Sequence, residues 1–123
     1  MGSHPLNLMF RFFLEIIALV SVGIWGWQIG EGPLKYVLAI GLPILIALIW
    51  GVFAVPGDPS RSGKAPVPVP GLLRLLLEFA VFGLAGLCLF NMGYTTYSLI
   101  FVLLVVIHYA LSYDRMIWLL KQK

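Results

Sequence analysis

The chain has 123 residues, 61% of them hydrophobic and only 11% charged, with a mean hydropathy of +1.01 and a formal net charge of +3. Soluble domains carry about 45–50% apolar and about 25% charged residues, so a soluble form of this chain would lack the polar surface to cover its exterior. The length bounds it to one domain and leaves no room for a soluble catalytic domain beside the apolar stretches.

Four of those stretches approach the about 20 residues that a helix needs to cross a bilayer: Leu8–Ile29, Pro33–Ala54, Leu72–Met92 and Tyr97–Leu119. The expected fold is an all-α membrane protein of four transmembrane helices, built as two tandem helical hairpins. Met1-Gly-Ser-His4 resembles a cloning remnant, so His4 carries no weight. The first span is too long for a signal-peptide core, contains Glu15 and reads as uncleaved. "GEG" at 30–32 with Pro33, and "NMGYTTY" at 91–97, predict tight turns within each hairpin. Between the hairpins, "VPGDPSRSGKAPVPVPG" at 55–71 is a linker whose prolines favour polyproline II. It reads as a tether or as a docking strip for a cytoplasmic partner.

Basic residues are distributed unevenly. Arg11, Arg61, Lys64, Arg74, Arg115, Lys121 and Lys123 fall on the side that holds both termini and the linker, and only Lys35 falls on the other. The positive-inside rule places that richer side in the cytoplasm, which predicts a multi-pass protein of the bacterial inner membrane with both termini cytoplasmic. The charge of +3 follows from this orientation and gives no basis for nucleic-acid binding.

The charges inside the spans follow a pattern. "RFFLE" at 11–15 recurs as "RLLLE" at 74–78, an offset of 63 residues that also superposes Gly23 on Gly86, Gly30 on Gly93 and Trp50 on Tyr113. This reads as a parallel internal repeat of one hairpin, with its symmetry axis along the membrane normal. Local helix energetics do not explain the motif, because the favourable i,i+4 order puts the acid first. Arg11 and Arg74 lie close enough to the helix ends to snorkel. Glu15 and Glu78 lie one turn deeper, where each must be paired, protonated or beside a wet cavity. The two-fold arrangement suggests reciprocal pairs, Arg11 with Glu78 and Arg74 with Glu15.

Trp50 and Tyr113 stand at the depth of the arginines and are candidates to stack on them or to anchor the interface. His108 lies deeper, either bonded to a neighbouring helix or relaying protons to the glutamates. Ala18, Val22, Gly23 and Gly26 share a face with Glu15, suggesting close helix packing. Pro43, just after Gly41, is a candidate hinge whose ring frees a backbone carbonyl. Cys88 stands alone and reads as a small buried hydrophobe.

The stretches "FRFFLEIIALVSVGIWGW", "IWGVFAVP" and "LRLLLEFAVFGLAGL" resemble the YrdB-like family of small bacterial four-span membrane proteins, a domain of unknown function. The resemblance implies a bacterial cytoplasmic membrane protein and brings no activity, substrate or cofactor.

Catalytic triads, metal-ligand clusters and phosphate-cradling glycine loops are missing from the sequence, so neither an enzyme nor a cofactor or metal is expected. Two functions stay open. One is a small-solute or proton-coupled transporter or channel in which Glu15 and Glu78 exchange protons; this is the favoured reading, because intramembrane acids are functional by default. Its ligand would be a small apolar or cationic molecule, and four spans enclose so little space that a homodimer is expected. The other is a non-transporting module that binds a cytoplasmic or membrane protein partner, with the Arg–Glu pairs as fasteners.

Overall fold

A computed structural model describes residues 5–56, 58 and 66–122. Met1–His4, Arg61, Lys64, Lys123 and most of the middle of the linker, to which the docking-strip reading applied, lie outside the described residues. The chain folds in the order α1 (Pro5–Ile29), α2 (Leu34–Val52), β1 (Phe53–Ala54), β2 (Val67–Pro68), α3 (Gly71–Asn91), α4 (Thr95–Leu111) and α5 (Tyr113–Leu120).

The helices form because nearly every side chain in them is apolar, so the backbone must satisfy its own hydrogen bonds. Gly32 and Gly93 close the two hairpin turns at φ 57° and 88°, a region that L side chains rarely adopt. Side-chain bonds between the helix ends fix the directions. Asn7 at the start of α1 reaches Ser112 beyond the end of α4. Trp25 near the end of α1 reaches Asn91 at the end of α3. The long helices therefore alternate in direction, and the starts of α1 and α3 and the end of α4 share one end of the bundle.

α1 and α3 are the inner helices. α1 packs on α2, α3 and α4, and α3 packs on α1, α4 and α5. The buried apolar core runs between them through Leu14, Ala18, Val22, Leu75, Phe82 and Ala85. α2 buries Ile46 and turns most of its surface outward. It lies tight on α1 because Gly26 has no side chain: a Cβ there would come within 2.8 Å of the Leu38 carbonyl. The glycine face of the first span is thus a helix-packing face. α2 is continuous through Pro43. The Ala39 carbonyl, which the missing Pro43 N–H leaves without its helical donor, faces Gly23 of α1.

α1, α2 and α3 are long and apolar enough to cross a membrane, whereas α4 and α5 meet that measure only together and are bent by 72°. The continuous fourth helix expected over 97–119 is therefore two helices. The break falls at Ser112, whose φ of −103° and ψ of 24° leave the helical region. There, "SYDR" interrupts the apolar run, and Ser112 and Arg115 find partners at the charged end of the bundle. α5 crosses the start of α3, where Leu119 is fully buried and Gly71 N–H bonds the Gln122 carbonyl at 3.1 Å. A Cβ on Gly71 would sit 1.6 Å from the Leu119 oxygen. β1 and β2 pair in parallel, and the Val69 N–H adds a bond to the Ala54 carbonyl at 2.9 Å. The linker's proline-rich end is thus pinned to the end of α2 rather than extended freely.

Candidate functional site

Glu78 lies seven residues into α3, about 10 Å along its axis at 1.5 Å per residue, and none of its side chain is exposed. Four elements supply its partners. Oε1 accepts from Tyr109 Oη of α4 at 2.6 Å and from Arg115 Nη1 of α5 at 2.9 Å. Oε2 accepts from Arg11 Nη2 of α1 at 2.8 Å, Arg74 Nε of α3 at 2.8 Å and Arg115 Nη2 at 2.7 Å. A carboxylate offers about four lone-pair sites, so five donors saturate it.

The arginines hold further partners in turn. Arg115 grips Glu78 with Nη1 and Nη2, and turns its Nε and Nη2 edge to Asp58, at 2.9 and 2.7 Å. This two-sided fork is the geometry that suits guanidinium and not ammonium. Arg74 donates through Nη1 to the backbone carbonyls of Trp50 and Phe53, where α2 ends and its carbonyls lack helical donors. Arg11 also donates through Nε to Glu15 Oε1 at 3.1 Å. The guanidinium carbons of Arg11 and Arg74 lie 5.2 and 4.6 Å from the Trp50 ring centre, a favourable cation–π arrangement. Arg11, Arg74 and Arg115 thus face Glu15, Glu78 and Asp58, three charges of each sign.

A second polar group adjoins the cluster. Asn7 Nδ2 donates to Ser112 Oγ at 2.6 Å, which leaves its Oδ1 to accept from His108 Nδ1 at 3.1 Å. The His108 ring also meets Phe10 edge-on, with centroids 5.5 Å apart. His108 is therefore bonded across to α1, and its hydrogen bond goes to Asn7 rather than to a glutamate.

Several sequence expectations are corrected by this geometry. Arg11 does pair with Glu78, but the reciprocal Arg74–Glu15 pair is replaced: Arg74 turns to its own Glu78 and to the end of α2, and Glu15 is left to its own Arg11. Trp50 stacks on both arginines, whereas Tyr113 is 64% exposed because the bend at Ser112 turns it outward. Tyr109, one turn earlier, reaches the cluster instead. The sequence pattern does not single out Arg115 and Asp58 as site residues. Arg115 passes for an ordinary flanking charge, and Asp58 is hidden in a linker of prolines and serines. The available signal is Arg115 and Leu119 at i,i+4 in "YDRMIWLL", one inward face of a short amphipathic helix.

Among the described residues, no group of three or more His, Cys, Asp or Glu could hold a metal ion. Fold and site together define an apolar helical bundle of membrane-protein type, tied at one end by a buried ion-pair cluster. The family model for DUF2568, described as a protein of unknown function, matches residues 9–106. The chain is 44% identical over 116 residues to the uncharacterized protein YrdB of Bacillus subtilis (strain 168), a match covering 94% of each chain. The chain belongs to this YrdB-like family of unknown function. No solved structure matches it.

Proposed function

We propose that the chain is a non-catalytic structural or partner-binding module of the bacterial cytoplasmic membrane, and that its buried charges are fasteners rather than a conduction path. It crosses the bilayer four times, with both termini inside. α4 is the fourth span, and α5 lies along the inner interface with Tyr113, Ile117 and Leu120 turned outward. The basic residues concentrated at one end support this orientation, and the 63-residue repeat supports descent from a duplicated hairpin.

The observation that carries the fastener reading is the enclosure of Glu78. An acid that shuttles protons must exchange them with water or a ligand. Glu78 is fully buried, and the groups placed on its oxygens are donors from Tyr109 and three arginines. The transport reading favoured by the sequence would need an open path to this carboxylate. Proton flux gives the test. In vesicles holding a pH-sensitive dye, an imposed pH gradient should decay at the rate seen without protein. Decay accelerated by the wild type and slowed again in Glu78→Gln would contradict the proposal.

A further inference from the structure

Glu15 differs from Glu78 in what remains open around it. Its side chain is 24% exposed, and among the described residues it accepts one hydrogen bond, from Arg11 Nε to Oε1. It borders a half-open cleft of about 100 Å³ between α1, α2 and α3. The other walls are Leu19, Ile46, Ala47, Trp50 and Val81. The cleft exists because α2 leans on α1 and scarcely meets α3.

We infer that this cleft binds a primary ammonium group carried on an apolar body, with Glu15 Oε2 as the acceptor. A carboxylate oxygen at this depth loses its water and needs a donor. The surrounding walls offer apolar carbons and the Trp50 indole, which makes no bond to Glu15 among the described residues, so a donor brought by the ligand would complete the carboxylate. The volume is several times the about 10–15 Å³ that one water needs by the same measure, which suits an ammonium and its first methylenes. The rest of the ligand extends through the open side into the hydrocarbon. A trimethylated ammonium presents no N–H and is bulkier, so it fits less well. The shared chemistry is found in an ethanolamine lipid headgroup and in a free lipophilic amine.

The test uses the full chain in detergent, titrated with dodecylammonium, dodecyltrimethylammonium and dodecanol, with binding read by calorimetry. Saturable binding of dodecylammonium, at least tenfold tighter than either analogue and weakened at least tenfold by Glu15→Gln, is expected. Ala47→Phe, which fills the cleft and leaves the carboxylate intact, should weaken it similarly. Equal binding of the three probes, or unchanged binding in either variant, would overturn the inference. Competition in nanodiscs then separates the sources: displacement by phosphatidylethanolamine but not phosphatidylcholine identifies the lipid, and equal retention in both identifies a free amine. This outcome is independent of Glu78, so loss of amine binding leaves the fastener proposal standing.

Discussion

The chain contains two Arg-x-x-x-Glu motifs, and the bundle puts them to different uses. In α3, Arg74 and Glu78 face the junction of α1, α4 and α5, and Glu78 gathers five donors from four elements. In α1, Glu15 faces the gap between α2 and α3 and receives one. The helices carrying them are both inner helices, so burial of the helix does not decide the matter. The segment that leaves each hairpin decides it. After α2 the chain passes into β1, and the end of α2 offers carbonyls that capture Arg74. After α4 the chain bends at Ser112 and returns Arg115 beneath Glu78. Identical spacing in sequence therefore yields a saturated acid in α3 and a half-open acid in α1.

Substitutions sharpen this contrast, beginning with the largest expected effect. Glu78→Gln leaves three guanidiniums around a neutral amide, and removing one partner of a buried ion pair typically costs about 3–5 kcal/mol. Denaturation in mixed micelles should show a loss of that size. Arg115→Lys keeps the charge but cannot grip Glu78 and Asp58 with one planar fork. Hydrogen bonds to charged groups contribute about 1.5–3 kcal/mol each, so a loss of about 2–3 kcal/mol is expected in the same assay; an unchanged midpoint would show that charge alone suffices. Tyr109→Phe removes one donor while Arg115 Nη1 still occupies Oε1, and the expected loss is about 1.5 kcal/mol. Glu15→Gln removes a single partly exposed i,i+4 pair and should change stability by about 1 kcal/mol or less. A loss as large as that of Glu78→Gln would erase the distinction between the two motifs.

The legible part of this architecture is the part written in strong contrast. Charges inside apolar spans stand out, so Arg11, Glu15, Arg74, Glu78 and the depth of Trp50 can be read from the chain. The Arg11–Glu78 pair follows from the two-fold arrangement that the recurring motif suggests. The bend at Ser112 is obscured because Ile117, Trp118, Leu119 and Leu120 extend the hydropathy of α4 past its end. With the bend hidden, the pattern points Tyr113 at the arginines, and Arg115 reads as a charge for the membrane surface. Asp58 is obscured for another reason: a carboxylate in a Pro- and Gly-rich linker looks solvated until a partner 57 residues away is folded against it. The balance of three arginines with three carboxylates belongs to tertiary structure, since Asp58 and Arg115 lie outside the two Arg-x-x-x-Glu motifs.

The most direct measurement is thermal unfolding of the wild type, Glu78→Gln and Glu15→Gln side by side in one detergent. If Glu78 is the fastener, its variant should melt on the order of 10 °C below the wild type, by the usual relation between stability and midpoint for a chain of this size, while Glu15→Gln melts within a few degrees of it. A Glu78→Gln protein that melts with the wild type, or above it, would mean that the saturated carboxylate is held at a cost to the fold, and would return it to the role of a working acid.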